Sequence, residues 1–255
     1  MFSRRWLFTT LLVFLGTALC IRLGIWQLDR LEQRRAFNAQ VETMRSMPEL
    51  DFGSAKTDGI EKMEWRAVTI SGVYDFENQV AVRNQYFRNQ YGYHLLTPLR
   101  FDQAQRELSG PSTGSGQAPI AVLVDRGWIP ADGNASPADW RKYDEPGVVT
   151  VTGQIRIGQG KPAFGGVEDA LPADGSPLWV WNNNDIGKIT LQMLYPILPV
   201  YVQPDIDPQD EVPPIPYQPT MELTEGSHFG YALQWFTFAT ILFAGYPFFL
   251  RKQTA

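Results

Sequence analysis

Residues 229–250 read FGYALQWFTFATILFAGYPFFL, and the reading of this stretch decides the fold. It carries no charged side chain. As a helix rising about 1.5 Å per residue it is long enough to cross a hydrocarbon core roughly 30 Å thick. Glu222 and Glu225 precede it, and Arg251 and Lys252 follow it. A positive flank marks the cytoplasmic side, so residues 251–255 are expected in the cytoplasm. His228, one of two histidines, immediately precedes the stretch and so stands where an aqueous domain would meet the membrane.

A second apolar run lies at the other end of the chain. After MFSRR it extends from Trp6 to Ile21, is broken by Arg22, and continues as LGIWQL to Leu28. A cleaved signal peptide would share the basic start and apolar middle, but no small-x-small cleavage site follows, and Thr-Ala-Leu-Cys is a poor lipoprotein box. The run reads as an uncleaved anchor over residues 6–28, with the long stem of Arg22 snorkelling to the interface. Arg4 and Arg5 before it and Arg30, Arg34 and Arg35 after it give no clear orientation. The second helix decides instead: residues 1–5 join the C-terminus in the cytoplasm, and residues 29–227 form an extracytoplasmic domain.

The helix is expected to continue past the membrane. DRLEQRRAFNAQVETMR lacks Gly and Pro, places Phe37, Val41 and Met44 at i, i+4 and i+7, and is stopped by Pro48, giving a helical lead-in over 29–47. From Trp65 the pattern changes to alternation and β-branched residues. WRAVTISGVY, NQVAVRN, YHLLTPLR, IAVLVDRGWI, GVVTVTGQIRI, LWVWN and LPVYVQ read as strands, with a turn at Asp75–Asn78 and a short helix over 184–194. IAVLVDRGWI begins with an unbroken apolar run and should be buried on both faces. Ser109–Pro119 is a solvent loop by composition, PADGNASPADW is turn-rich, and Asp205–Pro219, dense in Pro and acid, is an extended connector. Short, closely spaced strands without intervening long helices favour an antiparallel sandwich or partly closed barrel. The fold class is thus α+β: two transmembrane helices, 6–28 and 228–250, flanking a β-rich domain, whose Trp and Tyr residues read as core.

A net charge of −5 argues against a general nucleic-acid binder, and the slightly negative mean hydropathy excludes a polytopic transporter. Cys20 is the only cysteine, so no intramolecular disulfide and no Cys-rich metal site can form. The chain has no Gly-x-Ser-x-Gly elbow and no His-Glu-x-x-His. Asp125, Arg126 and Asp144 could be assembled into an acid–base scheme, but turn and strand-edge structure accounts for them. His94, inside a predicted strand, reads as a satisfied, half-buried structural histidine. His228 has two roles open to it: an anchor with its ring in the headgroup layer, or an axial ligand to haem iron in an apolar neighbourhood. Arg30, Arg34 and Arg35 read as a solvated face, with a site for anionic groups such as porphyrin propionates as the sharper alternative.

Several blocks resemble a known family: Gly24-Ile-Trp-Gln-Leu-Asp-Arg30, Trp65-Arg-Ala-Val-Thr-Ile-Ser-Gly-Val-Tyr74, Val82-Arg-Asn84, Gly92-Tyr-His-Leu-Leu-Thr-Pro98, Val122-Leu-Val-Asp-Arg-Gly-Trp-Ile-Pro130 and His228-Phe-Gly-Tyr-Ala-Leu-Gln-Trp235. In this order, from the first anchor to the last, they are similar to the surfeit locus protein 1 family of cytochrome c oxidase assembly factors. The resemblance implies two membrane helices around a periplasmic or intermembrane-space domain, no enzymatic activity, and a role in maturing oxidase subunit I alongside other assembly factors. It also implies handling of haem a, with His228 at the position of the histidine implicated in the bacterial members; in a haem carrier of this kind the helix faces around Trp235 and Phe236 would cover the porphyrin and Arg30 would be a further cofactor contact. With the anchor starting almost at residue 1, a bacterial inner membrane is expected. A scaffold that holds an oxidase intermediate without touching haem is the alternative, and a tethered periplasmic enzyme a third.

Overall fold

The computed structural model describes residues 6–52, 59–101, 121–160, 162, 165–207, 209, 211–216 and 221–254. The loop expected at Ser109–Pro119 and part of the connector Asp205–Pro219 lie outside them. The chain divides into two compact units: residues 1–42 with 221–255, and residues 43–220.

The first unit is an antiparallel pair of helices. Helix α1 (Leu7–Ser46) is one uninterrupted 40-residue helix, so the anchor and its helical continuation form a single element that ends two residues before Pro48. Its last turn belongs to the second unit. The partner helix, α4 in chain order, spans His228–Thr254. Along α1 the buried positions are Thr17, Cys20, Gly24, Leu31, Asn38 and Val41, a three-and-four spacing that keeps one seam on one side of a long helix. On α4 the buried positions Ala232 and Ala239 are small, as close helix packing in lipid requires. A Cβ on Gly24 would lie 2.7 Å from a carbon of the Phe236 ring, so this glycine is the notch that the ring occupies. Further along, the Thr10 and Tyr246 hydroxyls are 2.7 Å apart, and the Trp6 and Phe249 rings meet edge to face at 5.8 Å. Away from the seam, Phe8, Leu11, Leu15, Leu233, Ile241 and Phe243 are exposed. Both helices are long and apolar enough to cross a membrane, and an apolar exterior of this kind is the surface lipid covers.

The second unit is a β barrel. Its strands are β1 (Leu50–Asp51), β2 (Ala67–Tyr74), β3 (Val80–Phe87), β4 (Gln90–Phe101), β5 (Ala121–Pro130), β6 (Val148–Arg156), β7 (Val180–Trp181) and β8 (Ile197–Pro204). Pairing runs β2–β6–β8–β5–β4 and returns to β2 through Gly72↔Phe101, closing a five-stranded circuit. Numbered along the chain, the five strands lie in the order first, second, third, fifth, fourth, with the third and fifth (β5 and β8) parallel and the other pairs antiparallel. That is the connectivity of an OB-type Greek-key barrel. The expected β-rich, barrel-like domain is thus a closed barrel, antiparallel around the circuit except for the β5–β8 pair. β1, too short to read from sequence, and β7, which lies within LWVWN, add further parallel pairs at the margins.

Alternation fills the barrel. Val68 and Ile70, Leu99 and Phe101, Val122 and Val124, Val151 and Ile155, and Leu198, Val200 and Val202 come one set from each strand and form one buried cluster. Closure depends on Gly72: a Cβ there would lie 2.2 Å from the carbonyl oxygen of Arg100, so only glycine lets the two backbones meet. A second cluster lies on the outer wall, where Leu96, Leu123 and Tyr201 pack against Val80 and Val82 of β3, Trp181, and Ile186 and Ile189 of helix α3 (Ile186–Leu191). β5 is thus buried on both faces, as its unbroken apolar start predicts. The turn-rich PADGNASPADW contains a short helix, α2 (Pro137–Trp140), started by a Ser136–Asp139 capping box and anchored by the fully buried Trp140.

Candidate functional site

His228 is the first residue of α4, and Gln27 lies in the last turn of the apolar part of α1. The His228 Nδ1–H donates to Gln27 Oε1 across the helix pair at 2.9 Å. An amide oxygen can only accept, so Nδ1 carries the hydrogen; in the neutral ring this leaves the lone pair on Nε2, which makes no bond among the described residues. The segment leading into His228 is strapped to α1 by three residues. Arg34 donates to the carbonyls of Glu222 and Thr224 at 3.0 and 3.1 Å, and Asn38 to that of Thr224 at 3.3 Å. Arg35 forms a two-pronged pair with the Glu225 carboxylate at 2.8 and 2.9 Å. The bond to Arg35 holds the Glu225 carboxyl below its ordinary range. Exposed pairs of this kind add little stability, so their effect is to fix where the turn, and hence the ring of His228, sits.

Trp235 is seven residues beyond His228, two turns along the same stripe, half-buried and edge to face with Phe238 at 6.0 Å. The helix thus brings His228 and Trp235 onto one face. Arg30 is exposed and its contacts run along α1 itself: Nη1 donates to Gln33 at 3.1 Å, and the guanidinium lies over the Trp26 ring at 5.7 Å. Arg34 and Arg35, read from sequence as part of a solvated face, make exposed bonds there to the residues before His228. Gln27 is the partner of His228 that sequence reading passed over. The signal was there: a lone amide inside LGIWQL must find a partner at membrane depth.

The remaining candidates sit in the barrel. His94 on β4 is buried rather than half-buried, and its Nδ1 lies 2.9 and 3.0 Å from the two Asp125 oxygens. Asp125 and Arg126 do not lie at a strand edge. Both are buried inside β5, where the register slips so that Leu96 pairs with Asp125 and Leu95 with Gly127, leaving Arg126 as the extra residue of a bulge. Asp125 faces His94, while Arg126 lies against the Tyr74 and Phe76 rings and bonds Gln79, Glu145 and the Tyr143 carbonyl. Asp144 closes a helical turn beside Arg141 and joins neither group. Among the described residues no three His, Cys, Asp or Glu side chains gather as metal ligands.

Two membrane-length helices paired along a small-residue seam, with a closed five-stranded barrel as the other unit, make this an α+β membrane protein. Its lineage follows from comparison: the chain belongs to the SURF1 family, whose profile matches residues 14–240. It is 23% identical to a SURF1-like protein of Rickettsia conorii, over 97% of this chain and 93% of that one. It is 24% identical to an uncharacterized SURF1-like protein of Mycobacterium tuberculosis (97% and 84%) and 22% identical to Surfeit locus protein 1 of Arabidopsis thaliana (92% and 76%). The SURF1 family is known as a family of cytochrome c oxidase assembly factors.

Proposed function

We propose that this protein assists maturation of cytochrome c oxidase subunit I by binding haem a and passing it on, in company with other assembly factors. The observation that carries the reading is the Gln27–His228 hydrogen bond, which fixes the tautomer that leaves Nε2 free to coordinate iron. The donor set fits an axial imidazole: one ring nitrogen is held by an outer partner, and the other is uncommitted in a half-buried position. Trp235, on the same stripe, would cover the macrocycle, and Arg30, whose guanidinium has no carboxylate bond to α4, would meet the propionates. Haem a, when bound, supplies the redox-active iron that the oxidase needs. The chain's own part is to hold, orient and release it. Both termini lie in the cytoplasm of a bacterial cell in this reading, with the barrel on the periplasmic side of the inner membrane. The positive flank Arg251–Lys252 supports that orientation.

The test is the visible spectrum of protein purified from cells making haem a. Wild type should show a Soret band that is lost in His228→Ala. A wild type without haem, or a His228→Ala variant with undiminished haem, refutes the proposal. Oxidase subunits that co-purify with haem-free wild type, and still do so with His228→Ala, would identify the protein as a scaffold instead.

A further inference from the structure

The His94–Asp125 pair opens onto a cavity of about 370 Å³ on the outer wall of the barrel. Its lining includes His94 on β4, Asp125 on β5, Tyr201 and Gln203 on β8, Asn184 just before α3, and Tyr86 on β3. Two of these, His94 and Gln203, have one end fixed by a neighbour, and a third, Asn184, carries a buried acceptor without a partner among the described residues. His94, 9% exposed, has Nδ1 held by Asp125 while Nε2 makes no bond among the described residues. Gln203 accepts from Arg156 through Oε1 at 2.7 Å, which turns its NH₂ group elsewhere. Tyr201 and Asn184 both line the cavity, and Asn184 Oδ1 is buried without a partner among the described residues. A buried acceptor left empty costs free energy unless something donates to it. The Asp125 charge is already engaged by the His94 ring and by the Gly127 N–H at 3.2 Å.

We propose that this cavity binds a neutral polyhydroxylated ligand of about monosaccharide size. The unpaired groups are mixed, with amide and phenol donors beside an amide acceptor and an imidazole nitrogen, and each hydroxyl of a sugar is both donor and acceptor. A small anion would bring a second negative charge toward Asp125, and an apolar ligand would strand Asn184 Oδ1. Tyr86, 63% exposed at the rim, offers a ring face for stacking against the C–H side of a sugar. The cavity also lies on the outer face of the circuit's second and third strands, β4 and β5. By fold analogy, that is where OB barrels take oligosaccharides and oligonucleotides, and the net charge of −5 disfavours the latter.

The chain has two histidines, so selective labelling of the imidazoles in the full-length protein gives two sets of ring signals, and His228→Ala identifies those of His94. Titration with D-glucose, N-acetyl-D-glucosamine and maltose should shift the His94 signals saturably, while sodium lactate at matched ionic strength should not. Tyr201→Phe, which keeps the ring and loses the hydroxyl, and Asn184→Leu should each weaken the response about tenfold. Circular dichroism checks that each variant is folded. His94 signals that ignore all three sugars, that follow lactate instead, or that respond equally in folded Tyr201→Phe overturn the proposal.

Discussion

Replacing Gln27 with leucine keeps the bulk of the side chain and removes only its acceptor. The Nδ1–H of His228 then loses its 2.9 Å partner in a half-buried setting between two helices. An unpaired donor in such a place costs about 1–3 kcal/mol. At about 1.4 kcal/mol per tenfold in affinity, this corresponds to a roughly 5- to 150-fold loss. Removal of a ligand's outer partner from a metal site typically costs roughly 10- to 100-fold, so two independent routes reach the same range. The assay is a haem titration of detergent-solubilised apoprotein followed by the Soret band. Gln27→Leu should bind weakly but measurably, whereas His228→Ala should not bind through this site. Gln27→Glu replaces the amide oxygen with a carboxylate, makes the imidazole a stronger donor to iron, and should lower the midpoint potential of the bound haem. Wild-type affinity and spectrum in Gln27→Leu, with His228→Ala defective, would show that the amide has no part in binding.

Two further outcomes follow from the packing and from the buried pair. Gly24→Leu should loosen the helix pair by about 1–3 kcal/mol, because its Cβ would start 2.7 Å from the Phe236 ring, and Phe236→Ala in the same chain should recover most of the loss; unfolding in detergent measures the cycle, and simple additivity would refute the contact. Burial opposes the charged form of His94, but the Asp125 charge and hydrogen bond outweigh it and raise the pKa of the imidazole. Its contribution to stability is therefore fully present below the unfolded value of about 6.5 and is lost as pH rises through the folded value. Urea unfolding should give a barrel less stable at about pH 9 than at about pH 6, and Asp125→Asn should flatten that difference; an unchanged slope would remove the ion pair from the account.

Much of the architecture was legible in sequence because it follows from local periodicity. The two apolar runs, the polar continuation of α1 up to Pro48, and the alternation of Val68 and Ile70 or Val151 and Ile155 are properties of neighbouring residues. Closure of the barrel was not legible. It depends on Gly72 meeting the backbone of Arg100 nearly thirty residues away, and a lone glycine in a strand does not say which backbone it admits. The parallel pairing of β5 with β8 is equally a matter of topology, since an apolar strand reads the same in either direction. His228 stood out in sequence because histidines are scarce and this one abuts a membrane helix. Gln27 did not, because its role exists only once residues 201 positions apart are brought face to face. Asp125 and Arg126 show the same limit within the barrel. Adjacent in sequence, they are sent by one bulge to opposite neighbourhoods, the first to His94 and the cavity, the second to two aromatic rings. Sequence alone thus indicated the two long apolar helices and most of the longer strands, since each is written in its own residues. Which polar side chains became partners was left to the tertiary structure, because a hydrogen bond forms between positions in space and not between positions in a chain.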